Sequence, residues 1–254
     1  MIDILFKQQL TSSISDALDE AEATWATFGE RLVNESRDRS IKLAAQKTTR
    51  IPGHSTLKEG ESKLDEFICL MLDMRNSSEH LMCALSNPEN VSELRRVFYE
   101  VSALLPAMEL CVDKYKGSVT EYLGDGILAL FNVPSGNKES AIYSSYNAAQ
   151  TCMDCVSEVI NPMIQERYSL PPISIGIGLS MSKGIVSMVG NDGNRHPKVF
   201  GECVYRASKL SKGNNQIFAD EKLNQLWPKE EGGVLSIKSK KLRDFEGYLI
   251  ERNR

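Results

Sequence analysis

The sequence predicts an α+β domain built on a mainly antiparallel sheet and preceded by an N-terminal helix. Three observations carry that prediction. Phe67-Ile-Cys-Leu-Met-Leu-Asp73 is a run in which only Cys69 is not strongly apolar before the closing acid, the pattern of a strand buried on both faces. Val119–Phe131 is two short β-rich apolar runs joined by Leu-Gly-Asp-Gly, a tight hairpin signal. Long amphipathic helices alternate with such hairpins, which favours helices packed on an antiparallel sheet over a parallel βαβ array.

The elements follow in order. Residues 1–35 read as a helix, with Ile2, Leu5, Phe6, Leu10, Ile14, Leu18, Ala21, Trp25, Phe28 and Leu32 recurring at steps of three and four. That stripe must be buried on its own domain or on a partner. Residues 36–63 are polar and charged and read as a linker, so the domains divide as 1–62, helix and linker, and 63–254. After the buried strand, Asn76, Ser77 and Ser78 are N-cap types opening a short helix to about Leu85. A long helix spans about Val91 to Tyr115, where Pro106 is expected to kink or split it and Gly117 to end it. A second runs from Glu139 to about Arg167, with Pro162 disturbing its last turns. Ile173–Met181 reads as a strand with Gly184–Gly190 as its hairpin partner, and Gly201–Ser211 as a helix. Gln216–Ala219 is a short strand, Asp220 caps a small helix, and two strands near Val234–Ile237 and Gly247–Ile250 close the chain.

Composition excludes several classes. A 254-residue chain with a net charge of −4 shows no basic surface for nucleic acid or membrane. No apolar run approaches the ~20 residues of a membrane span, and the N-terminus lacks the basic segment and apolar core of a secretory signal, so a cytoplasmic protein is expected. The six cysteines mostly sit inside apolar patterns, as small core residues of a reducing compartment do. Cys152-x-x-Cys155 has no second Cys pair and no nearby His, and lies mid-helix, which favours packing over zinc or redox chemistry.

The chemistry gathers at Asp73 and Asp125, each at a strand end or turn. Two carboxylates beside a helix N-terminus can hold divalent ions against a phosphate chain. Taken singly, an Asp after a strand is an ordinary N-cap and Asp-Gly an ordinary turn.

Three blocks resemble, in order, the catalytic domain of the class III nucleotide cyclases. Asp73-Met-Arg-Asn-Ser-Ser78 stands where that family has Asp-Ile-Arg-Gly-Phe-Thr. Tyr122-Leu-Gly-Asp-Gly-Ile-Leu-Ala-Leu-Phe131 stands where it has Thr-Ile-Gly-Asp-Ala and an apolar run. Val199-Phe-Gly-Glu-Cys-Val-Tyr-Arg-Ala-Ser-Lys-Leu210 stands where it has Val-Ile-Gly-Asp-Thr-Val-Asn-Leu-Ala-Ala-Arg-Leu. The resemblance covers about residues 64–252. It implies a ferredoxin-like βαββαβ core and a homodimer with composite active sites. It implies two divalent cations, Mn²⁺ or Mg²⁺, held by Asp73, Asp125 and the carbonyl of Met74 over a nucleoside triphosphate. Arg75, Asn76, Ser77 and Ser78 would face the phosphates through backbone N–H groups and hydroxyls.

The resemblance has departures. Where the family's second chain supplies an Asn for the ribose and an Arg for the developing phosphate charge, this sequence has Tyr205 and Lys209, one helical turn apart. Lys keeps the charge without the bidentate fork, and Arg206 is a stand-in cation. At the base-selecting positions stand Glu121 and Lys198, matching neither the adenine nor the guanine pair, and Tyr122 replaces a small Thr. A bulkier Tyr122 would shrink the pocket, while Glu121 could accept from a pyrimidine and Lys198 donate to its carbonyls. The resemblance is therefore nearest the pyrimidine cyclases of Pycsar anti-phage systems, whose cyclic UMP or CMP acts on a separate effector. A purine cyclase and an inactive nucleotide-binding pseudocyclase remain the alternatives, and Glu121 and Lys198 can also be read as exposed sheet charges.

Overall fold

In the computed structural model, residues 2–34, 49–57, 61–77, 93–191, 194–228, 234–242 and 245–252 are described, the backbone alone for 27–34. The predicted short helix 77–85, together with Ser78 and Cys83, lies outside them beyond Ser77. The described helices are α1 (Ile4–Asn34), α2 (Glu93–Asp113), α3 (Lys138–Cys155), α4 (Asn161–Tyr168), α5 (Glu202–Leu210) and α6 (Glu221–Leu226). The strands are β1 (Ser62–Met74), β2 (Ser118–Tyr122), β3 (Gly126–Asn132), β4 (Ile175–Val189), β5 (His196–Gly201), β6 (Gln216–Ala219), β7 (Leu235–Leu242) and β8 (Phe245–Arg252). They form one sheet in the order β2-β3-β1-β4-β6-β8-β7, with β5 paired to β4. Among the described residues only β4 and β6 pair in parallel. The order β2-β3-β1-β4 is the expected ferredoxin-like arrangement.

β1 is buried from Phe67 to Leu72, as its unbroken apolar run requires. Its alternate residues feed two cores. Ile68, Leu70 and Leu72 join the larger one under α1, α2, α3 and α4. Phe67, Cys69 and Met71 join a smaller one with Ile51, Cys203 and Ala207 on the opposite face. Phe6, Leu10, Ile14, Leu18 and Ala21 of α1 belong to the larger core, so α1 docks on its own chain. Lys114 to Asp3 (2.5 Å) and Arg167 to Asp19 (2.5 Å) hold its outer edge.

Three sequence expectations are corrected. Ile173–Met181 and Gly184–Gly190 are not hairpin partners but parts of the single 15-residue strand β4. The glycines there do what glycines in a strand suggest, allowing close backbone approach: a Cβ on Gly178 would lie 2.2 Å from the Ala207 carbonyl of α5. β4's true hairpin partner is β5, through the Asn191–Asn194 turn. Pro106 does not split α2, which is one helix; buried Ala103, Leu104, Ala107 and Met108 hold both of its halves to the core, offsetting one lost backbone bond. The Pro162 disturbance falls a turn early, as a π-helical turn at Val156–Ile160 between α3 and α4. Pro162 has no N–H to give, which lets the turn before it widen.

Asp220 ties the sheet to α6. Its carboxylate accepts from Leu223 N (2.8 Å), Ser180 Oγ (2.5 Å) and Met181 N (3.1 Å), and the residue is buried. Asp220→Ala removes a helix cap and orphans two buried donors. We expect a loss of roughly 2–4 kcal/mol in urea unfolding, with Ser180→Ala costing less.

Candidate active site

Asp73, the last residue but one of β1, lies directly opposite Gly126, the first residue of β3. Gly126 permits this approach: a Cβ there would sit 2.2 Å from the Leu72 carbonyl. Gly124, at φ +68°, turns the β2–β3 hairpin, and Leu123 N closes it on Gly126 O at 2.8 Å. The register therefore puts Asp125 beside Asp73, and Met74 N donates to the Asp125 carbonyl at 3.2 Å. The acids lie 52 positions apart in sequence and share one end of the sheet.

The turn after Asp73 folds back over both acids. The Arg75 guanidinium pairs with the Asp73 carboxylate, its Nε lies 3.4 Å from the Asp73 carbonyl, and Ser77 Oγ donates to Asp125. Asn76 takes φ +60°, a left-handed value that Asn tolerates. Burial pulls the Arg75 pKa down and the nearby Asp125 charge partly restores it, so Arg75 senses both acids. One expectation is corrected: the Arg75 N–H does not face outward but donates to Ser174 O at 2.8 Å. Strand pairing beyond the end of β1 consumes it.

Two carboxylates, a backbone carbonyl and a hydroxyl form an all-oxygen donor set of the kind Mg²⁺ or Mn²⁺ prefers. A guanidinium beside both acids marks the place as one that demands positive charge. The residues thus fit a divalent cation, although no cluster of three or more His, Cys, Asp or Glu occurs among the described residues.

The second half of the predicted site is also brought together in part. Lys198 Nζ lies 2.5 Å from Glu121 Oε2, joining β5 to β2. Lys198 lines a cleft of about 350 Å³ with Arg50, Ile51, Thr120, His196 and Pro197. Beneath, burial foremost and then Cys203 and Glu121 push the Cys69 thiol well up. Tyr122 is the exception. Glu121 pairs with Leu128 of the smaller core and Tyr122 with Ile127 of the larger, so their side chains leave opposite faces of β2. The Tyr122 hydroxyl donates to Glu109 of α2, which also pairs with Arg50 at 2.5 Å. The expectation that Tyr122 narrows a base pocket beside Glu121 is therefore corrected by strand alternation.

On α5, the Lys209 ammonium sits 5.3 Å from the centre of the Tyr205 ring, and Tyr205 is 61% exposed. Arg206 pairs instead with Glu202 at 2.6 Å. The Arg50–Glu109–Tyr122 link was missed in the sequence, since nothing in the spacing of those residues announces it.

Comparisons with known proteins agree with the sheet order. No family model matches the chain. An adenylate cyclase of Anabaena cylindrica is 27% identical over 133 residues, 51% of this chain. The match spans about a quarter of that protein's own length, 26%. Among solved structures, the adenylyl cyclase CyaB from P. aeruginosa superposes with a TM-score of 0.62 at 17% identity, over 76% of this chain and 97% of that one. The guanylyl cyclase Cya2 gives 0.59 at 18% identity, over 76% and 92%. The chain has the fold of the adenylyl and guanylyl cyclase catalytic domains, the class III cyclase fold. Among the described residues no helix is long and apolar enough to cross a membrane.

Burial, then the Glu109 carboxylate, raise the Tyr122 pKa to about 12. A raised phenol pKa means the bond is present below the ordinary value of ~10 and is lost as pH rises through the folded one. The difference in tyrosinate absorbance between wild type and Tyr122→Phe should have its midpoint near pH 12. A midpoint at the ordinary value contradicts the Glu109 contact.

Proposed function

We propose that the chain is a nucleotide cyclase whose active site is built on Asp73 and Asp125. The observation that carries this reading is the β1–β3 register that sets both acids at one edge of a class III cyclase fold. In the proposed reaction the ribose 3′-oxygen of a nucleoside triphosphate bonds to its α-phosphorus. The bond to the bridging oxygen breaks, pyrophosphate departs, and the 3′-hydroxyl proton goes to solvent or a phosphate oxygen. Divalent cations, when bound, lower the 3′-hydroxyl pKa and offset phosphate charge. Asp73, Asp125 and the Met74 carbonyl would hold them. Ser77, now on Asp125, is placed to donate to phosphate once that carboxylate turns to a cation; Asn76 and Ser78 are assigned the same phosphate-facing role from the resemblance.

The site is completed, in this reading, by a second copy that supplies Tyr205 and Lys209. Supporting it, the Tyr205–Lys209 pair stands exposed on α5, available to another chain. A row of exposed apolar side chains supports it too: Leu64, Ile185 and Phe200 are register partners across β1, β4 and β5. Asp73→Asn and Lys209→Ala should each be nearly inactive. Mixed one to one, they should recover about one quarter of wild-type activity, because half of the dimers carry one intact site in two. No recovery, with subunit exchange verified, removes the composite site.

For the base, we propose pyrimidine selection, with cyclic UMP or CMP acting on a separate anti-phage effector. Its support is the Glu121–Lys198 pair, whose lysine lines the cleft described above. With Tyr122 on the other face, pocket size no longer favours the smaller base. A purine cyclase is the second reading, favoured by the likeness to adenylyl and guanylyl cyclases. Incubation with each NTP and Mn²⁺ separates them: product from UTP or CTP alone supports the first, product from ATP or GTP alone the second. Turnover unaffected by Asp73→Ala and by Asp125→Ala overturns the assignment of the site to these two acids.

A further inference from the structure

Arg75 does something neither the phosphate-facing role nor the fold requires. Its side chain is 16% exposed and lies along the very acid assigned to the cation, touching that residue at carboxylate and carbonyl alike. Asp125 is near enough to act on it electrostatically. The backbone on either side is pinned, with Met74 N on Asp125 O and Arg75 N on Ser174 O. The guanidinium is thus delivered to the acids by a fixed main chain, through a turn that needs a left-handed Asn76.

We propose that Arg75 is a built-in counter-ion of the metal site: its guanidinium occupies the cation's place on Asp73 and competes with the divalent ion for it. This rests on the metal-site reading above. Two acids at one end of a sheet with no compensating charge repel one another, and the Arg75 guanidinium on Asp73 relieves that. Metal entry then requires the guanidinium to swing off Asp73. That motion is confined to the side chain, since the Arg75 amide stays on Ser174. The displaced cation comes free beside the site, where a triphosphate brings negative charge. Competition of this kind makes metal binding weak in the absence of nucleotide and stronger in its presence, because the phosphates offer Arg75 another partner.

The test reads metal binding without turnover. Mn²⁺ is titrated into nucleotide-free protein at fixed ionic strength, and free Mn²⁺ is followed by electron paramagnetic resonance for wild type, Arg75→Gln, Arg75→Lys and Asp73→Asn. Circular dichroism and melting confirm that each variant is folded. Arg75→Gln should bind Mn²⁺ at least about tenfold tighter than wild type, as removal of a contacting charge implies. Arg75→Lys, which keeps charge but loses the fork, should fall between. A non-hydrolysable nucleotide should narrow the gap between wild type and Arg75→Gln. Equal or weaker Mn²⁺ affinity in folded Arg75→Gln, with binding still lost in Asp73→Asn, overturns the counter-ion while leaving the metal site standing. Binding that is unchanged in Asp73→Asn overturns the metal site itself.

Discussion

The pairing of β1 with β3 is the constraint on which the rest depends. Asp73 faces Gly126, and no side chain fits between that glycine and the Leu72 carbonyl. A slip of one residue would turn Phe67, Cys69 and Met71 into the wrong core and carry Asp73 to the other face. The two cores therefore enforce the register, and the register positions the acids. The position of the two acids is held by hydrophobic burial on both sides of one strand.

Much of this was legible in the sequence because it is local. The apolar run before Asp73 announces a doubly buried strand, Leu-Gly-Asp-Gly announces a hairpin, and Asp220 announces a cap. The Glu121–Lys198 pair was accessible through alignment of two short blocks. What stayed hidden is what only three dimensions join. Ile173–Met181 and Gly184–Gly190 read as the two arms of a hairpin, yet they are one strand, β4, whose Gly178 gives the close backbone approach its glycines suggest. Tyr122 sits next to Glu121 in sequence and so was assigned to the same pocket, but strand alternation sends it to Glu109. Arg75 was read for its backbone amide, whereas its side chain is the part that meets the acids.

The two ends of the candidate site differ in how they are held. Asp73 sits on β1 and Asp125 in the turn that leads into β3, two strands locked by a long antiparallel ladder. Tyr205 and Lys209 project from α5, a nine-residue helix braced by Cys203, Ala207 and Leu210. The end that grips charge is thus the stiffer, and the end offered outward rests on a single short helix. Such a division would suit the two-chain site proposed above, in which one half keeps strict geometry and the other is offered to a partner.

The N-terminal helix carries a further consequence. Phe6, Leu10, Ile14, Leu18 and Ala21 pack into the same core as Leu70 and Leu72. A shortened chain starting at residue 63 would keep every residue assigned to chemistry and still strip the oily cover from its largest helical face. What looks like a dispensable leader is thus part of the wall of the hydrophobic interior, and trimming it lays an apolar surface open to other chains.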